Sequence, residues 1–146
     1  MMLIAVTLFR LLLPLVAIYA LLRGGRDERL VAFCCVAGAL LTQIVVSPLG
    51  DRFESVEWPI LLVDLGVFAG FVGVALRSQR FWPLWVAGLQ LTTIMGHLIK
   101  QVASDLLPTA YGVALGFWAY PIIFILAIGT WRHTRRMRRH ADPTPA

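Results

Sequence analysis

The sequence predicts an all-α, polytopic integral membrane protein: five transmembrane helices in a compact bundle, N-terminus outside and C-terminus in the cytoplasm. Three observations predict it. Five apolar stretches, Leu3 to Leu22, Leu30 to Ser47, Pro59 to Leu76, Phe81 to Ile99 and Ala110 to Trp131, are each long enough to cross ~30 Å of hydrocarbon at ~1.5 Å per helical residue. Hydrophobic residues make up 59% of the 146 and charged residues only 14%, against about 25% charged in a soluble domain, so little is left to clothe a water-soluble surface. The cations alternate between loops: Arg23, Arg26 and Arg29 after the first stretch, only Arg52 after the second, Arg77 and Arg80 after the third, only Lys100 after the fourth, and Arg132, Arg135, Arg136, Arg138 and Arg139 after the fifth. By the positive-inside rule the basic loops face the cytoplasm. With loops this short, a multi-pass protein of a bacterial inner membrane is expected. Residues 1–131 then form one transmembrane domain and 132–146 a basic cytoplasmic tail with a disordered end, from Ala141 through Pro143 and Pro145.

Span one is not a cleavable leader by pattern: Met1 to Phe9 carries no basic side chain, Arg10 interrupts the apolar run, and no small-x-small site precedes Gly24. Thr7, Arg10 and Pro14 share a helical face, and Pro14 should bend the helix. Span two carries adjacent Cys34 and Cys35, whose geometry and compartment disfavour a disulfide and which read as small packing residues. Ala32, Val36, Ala39, Gln43 and Ser47 follow one line along it. Between Pro48 and Trp58, with Asp51, Arg52, Glu54 and Glu57, lies the only external segment of any size, where a turn of interfacial helix is expected.

Span three places Asp64 in an apolar run and sets Gly66, Gly70 and Gly73 roughly on its opposite side. Gly66 and Gly70 have the G-x-x-x-G spacing of close-packed membrane helices, repeated by Gly112 and Gly116 in span five. Span three is therefore expected to be central, its glycines against span five or against a second copy, and Asp64 toward a polar cluster. Span four opens with Arg80, Phe81, Trp82, Pro83 and Trp85, an interface anchor with proline in the first turn. Further along, Gln90, Thr93, His97 and then Lys100 or Gln101 make a polar stripe. Span five contains Pro121, expected to bend it. Trp58 and Tyr111 mark an outer aromatic belt, and Tyr19, Trp82, Trp85 and Trp131 an inner one.

With that topology imposed, Arg10 and Asp64 each lie ~9 to 10 Å below the outer surface, Gln43 ~7 Å and His97 ~5 Å, at ~1.5 Å per residue. Charges facing lipid cost ~2.5 to 3.5 kcal/mol at mid-membrane, so Arg10 and Asp64 should turn inward and pair. Arg10, Gln43, Asp64, Gln90, Thr93 and His97 form the candidate site. It is either a structural set of an ion pair and interhelical hydrogen bonds of ~0.6 to 2 kcal/mol each, or a pathway or pocket for a proton, ion or polar headgroup, since intramembrane ionisable groups mark such paths.

Catalytic patterns are missing from the sequence: no H-E-x-x-H, C-x-x-C, Walker loop or G-x-S-x-G occurs. No cofactor is implied, and His97, Asp64 and Glu57 do not make a recognisable metal-ligand set. The net charge of +5 is concentrated beside lipid, so Arg132, Arg135, Arg136, Arg138 and Arg139 are expected to meet anionic headgroups rather than nucleic acid. A non-enzymatic accessory or assembly subunit, docking on another membrane protein or on itself through glycine faces, is the leading expectation. A small proton-coupled transporter or permeation unit is the alternative, and a protein or enzyme of lipid or quinone headgroups a weaker one.

Overall fold

A computed structural model describes residues 2–45, 58–102 and 116–141. Among the described residues five helices follow in order: α1 (Met2–Arg23), α2 (Arg26–Val45), α3 (Trp58–Arg77), α4 (Trp82–Val102) and α5 (Ala119–Ala141). There is no strand among the described residues. The expectations for Ser47, the segment from Pro48 to Glu57, Tyr111, Gly112 and the terminal residues 142–146 lie outside them.

Among the described residues, three helices are long and apolar enough to cross a membrane, through Val6–Arg23, Arg26–Val45 and Trp58–Arg77. Only 17%, 22% and 17% of these windows is buried in the bundle, so their apolar surface mostly faces outward, the reverse of a soluble core. Rows such as Leu11, Leu15, Ile18 and Leu22 on α1 are exposed throughout. α4 falls short of the same apolar standard because Gln90, Thr92, Thr93, His97 and Lys100 interrupt it, and α5 because it runs on through Arg132, Arg135, Arg136, Arg138 and Arg139. The segment after Trp131 is thus helical to Ala141, continuous with the rest of α5.

One helix start moves for a local reason. α2 begins at Arg26 rather than Leu30, because Gly25 caps it and Asp27 and Glu28 occupy its first turn, where carboxylates meet the exposed amide ends and positive dipole. Glu28 reaches back so that the Gly25 amide donates to its Oε2 at 3.0 Å, one half of a capping box. The connection from α1 shrinks to Gly24 and Gly25, and a Cβ on Gly24 would lie 2.4 Å from the Ala20 carbonyl oxygen. Regular α5 begins at Ala119, so Pro121 sits in its first turn, where a missing amide removes no helical bond. Pro14, by contrast, lies inside α1 and denies the Arg10 carbonyl its usual amide partner.

The helices form a ring in sequence order: α1 packs on α2, α2 on α3, α3 on α4, α4 on α5, and α5 closes on α1, with a lesser α2–α5 contact across it. α3 is one stave of that ring rather than its centre, since each short hairpin pairs sequence neighbours and α5 fills the gap left beside α1. Every helix contributes to the buried apolar core: Ala17 and Ala20, Val31 and Ala32, Phe71 and Val74, Val86 and Ala87, Ile122 and Leu126. On α1 to α4 these positions lie in the halves nearer the α1–α2 and α3–α4 turns. Small residues on α1, α2 and α4 let the helices approach while Phe71 and Leu126 fill the middle.

The glycine of α3 that is packed uses α2, not α5. A Cβ on Gly70 would fall 2.7 Å from Cys34 Sγ, and one on Gly38 of α2 would fall 2.5 Å from Val67 Cγ2. Gly66 and Gly116 have nothing within 4 Å, and Gly73 only the guanidinium of Arg77. Of the three glycines of α3, therefore, only Gly70 meets a neighbouring helix.

Candidate functional site: two polar clusters in one bundle

The first cluster joins α3 to α4. Asp64 Oδ2 lies 3.0 Å from His97 Nε2, and the Gln90 side-chain amide donates to Asp64 Oδ1 at 3.0 Å and, more weakly, to the Asp64 carbonyl at 3.4 Å. The hairpin register explains the meeting: with a short turn between Arg77 and Trp82, residue 64 is level with a point on α4 between Gln90 and His97. Both side chains lean toward it from two helical turns apart, with buried Thr93 between them on the same face. His97 is 2% exposed and the Asp64 side chain 18%. Lys100, one turn further along α4, is 4% exposed.

Asp64 thus takes His97 and Gln90 as partners in place of the expected Arg10. Arg10 instead donates from Nη2 to Gln43 Oε1 at 2.8 Å, joining α1 to α2 at an exposed position. In the ring, α1 and α3 are separated by α2, so two groups at matched depth are still on non-adjacent staves. The six predicted residues therefore divide into a set on α3 and α4 (Asp64, Gln90, Thr93, His97) and a pair on α1 and α2 (Arg10, Gln43).

The second cluster, at the arginine-rich end, was not foreseen. Glu28 of α2 is 0% exposed and forms a salt bridge with Nη1 of Arg80, from the α3–α4 turn. The other guanidinium nitrogen, Arg80 Nη2, lies 2.9 Å from His133 Nδ1 on α5. In this contact arginine can only donate, so His133 accepts through an unprotonated Nδ1. Ser78 Oγ donates to Asp27 Oδ2 at 2.6 Å and accepts the Arg80 amide at 3.1 Å. Thr134 Oγ1 bonds the Arg23 carbonyl at 3.2 Å and the Thr130 carbonyl at 2.9 Å. One knot of polar contacts ties α2, the α3–α4 turn, α5 and the end of α1.

Glu28 escaped notice because it stands among Arg26, Asp27 and Arg29, where one more charge carries no contrast. Its capping position, three residues after a glycine pair, was the available signal. Trp82 also departs from the inner aromatic belt: its indole lies against Gly129, 3.3 Å from where a Cβ would stand, with Nε1 buried. Trp85 and Trp131 are exposed as a belt requires.

Chemically, the first cluster couples a carboxylate, an imidazole and an amide. It joins α3 to α4. The second holds a carboxylate between a guanidinium and a backbone amide, and its parts are committed to each other. No known protein family, curated protein or solved structure matches this chain.

Proposed function

We propose that the chain is a five-span protein of a bacterial inner membrane, N-terminus outside and basic end in the cytoplasm, acting as a non-enzymatic accessory or assembly subunit of a membrane complex. One observation carries this reading: the ionisable groups that would perform chemistry are engaged with one another. Asp64 has both carboxylate oxygens occupied by side chains of α4, and Glu28 has its two occupied by Arg80 and the Gly25 amide. Such arrangements fix helix positions. Meanwhile the outward side of α3 presents Leu62, Gly66, Ala69 and Gly73 in one helical row, a surface on which another membrane helix packs closely. Close packing there is the expected mode of docking on the partner protein or on a second copy.

Native mass spectrometry of the tagged protein released with its surrounding lipid tests the proposal. A reproducible mass of one or more foreign membrane proteins, lost in a Gly66→Leu, Gly73→Leu variant that remains folded, supports the subunit reading. A lone monomer carrying only lipid removes it. Topology is tested separately: a reporter after Ala146 should be cytoplasmic and one inserted near Glu54 external, and the reverse pattern overturns the orientation.

A second reading, a proton-coupled transporter or permeation unit, is favoured by the residual exposure of Asp64 beside buried His97, with Lys100 buried one turn further along α4. Under it, Asp64→Asn keeps the fold and abolishes a pH-dependent flux in proteoliposomes. Under the subunit reading, the same variant lowers stability and there is no flux to lose.

A further inference from the structure

A cavity of about 410 Å³ opens between α1 and α5, lined by Tyr19, Arg23, Trp131, Thr134, Arg135 and Arg138. We infer that it binds the phosphate of an anionic phospholipid headgroup, with the acyl chains lying along the apolar faces of α1 and α5. This rests on the membrane reading above and is independent of the subunit reading.

Three arginines line this cavity, and no carboxylate-bearing residue is among its lining residues. Like charges brought together repel, and an anion between them reverses the sign of that interaction. Guanidinium is also the side chain best matched to phosphate oxygens, through paired N–H donors. The cavity is built rather than incidental. Arg135 is stacked over the Trp131 ring, its Cζ 4.5 Å from the centroid, which limits its freedom. The two walls are joined where Thr134 Oγ1 bonds the carbonyl of Arg23.

The surroundings choose a lipid over a soluble anion. Phe124, Ile128 and Trp131 precede Arg135 and Arg138 on one face of α5, and Leu15 precedes Tyr19 and Arg23 on one row of α1. Leu15, Phe124, Ile128 and Trp131 are all exposed. Following either row away from the arginines leads through an aromatic side chain to a bare apolar surface. That order of cation, amphipathic ring and hydrocarbon matches a phospholipid read from phosphate to acyl chain. Of the five tail arginines, the geometry selects Arg135 and Arg138 and adds Arg23, while Arg132, Arg136 and Arg139 do not line the cavity.

The test compares two triple variants of equal charge change in the full chain: Arg23→Gln, Arg135→Gln, Arg138→Gln in the cavity, and Arg132→Gln, Arg136→Gln, Arg139→Gln outside it. Binding of phosphatidylglycerol and of phosphatidylcholine is measured by titration into detergent-solubilised protein, with inorganic phosphate as competitor. The expected result is preference for phosphatidylglycerol in the parent and the outside variant, weakened about tenfold or more, ~1.4 kcal/mol, only in the cavity variant. Equal loss in both triples overturns the site in favour of diffuse attraction. Displacement by millimolar inorganic phosphate, with no preference between the lipids, overturns the lipid assignment and leaves a free-anion site. Thermal unfolding checks that each variant folds; should the cavity triple fail, Arg138→Gln alone, near the helix end, takes its place against Arg139→Gln. A chain recovered soluble without detergent would defeat the membrane reading itself, a failure distinct from any of these.

Discussion

The two halves of this bundle solve the problem of a buried carboxylate in different ways. At the arginine-rich end, Glu28 is wholly enclosed, held by a guanidinium and a backbone amide, and surrounded by contacts from α1, α2, α5 and the α3–α4 turn. In the opposite half, Asp64 keeps some exposure and is held within a single helix pair, by an imidazole and an amide side chain. The first is a carboxylate–guanidinium pair tied into several elements, the second a carboxylate–imidazole pair within two helices. A fully enclosed arginine–carboxylate contact favours fixation, because removing either partner strands a charge. A carboxylate–imidazole contact confined to two helices constrains less of the bundle. The bundle is thus locked at one end and adjustable at the other.

The largest expected effect would break the locked end. Arg80→Ala leaves Glu28 buried without its cation and should cost about 3 to 5 kcal/mol, seen as a lower midpoint of thermal unfolding in detergent. Adding Glu28→Gln should recover a substantial part; an Arg80→Ala protein as stable as the parent would show that the enclosed pair is not a lock. Gly24→Ala comes next. Its Cβ would meet backbone, the Ala20 carbonyl, as well as Glu28 Cβ at 2.7 Å, so the turn must shift at about 1 to 3 kcal/mol. Unchanged stability there would mean that the two-residue turn is not tightly constrained.

The adjustable half should respond less. His97→Ala removes one partner of Asp64 and is expected to cost ~0.6 to 2 kcal/mol, with Gln90 still holding the other carboxylate oxygen. A loss as large as that from Arg80→Ala would erase the contrast between the halves. Smallest of all is Arg10→Met, which gives up one exposed bond to Gln43 and should change the unfolding midpoint by no more than ~0.6 kcal/mol. Coupling between Arg10→Met and Asp64→Asn in a double-mutant cycle should be near zero, because these residues belong to separate contacts.

Much of the helical architecture was legible because the signals are local. Apolar runs, prolines near helix ends and the contrast of Asp64 or His97 against hydrocarbon neighbours are visible in a short window of sequence. The stripe of Gln90, Thr93 and His97 on one helical face holds in the structure. Less legible were features that depend on which helix stands beside which. Matched depth for Arg10 and Asp64 did not make them neighbours, and the shared spacing of Gly66 and Gly70 did not give them a shared partner. Glu28 was hidden by its own surroundings, a charge among charges, although it is the most enclosed carboxylate among the described residues.

By itself the sequence determined the all-helical class, the outward apolar surfaces and the segregation of arginines, since these follow from composition and from the 3.6-residue repeat. Only the tertiary structure decided the partners: Asp64 with His97, Gly70 with Cys34, Glu28 with Arg80, and Arg23 with Arg135 and Arg138 around one cavity. The physical reason is that a helix fixes the direction of a side chain relative to its own axis alone. Which group lies across from it depends on how five axes close into a ring, and no single stretch of sequence carries that information.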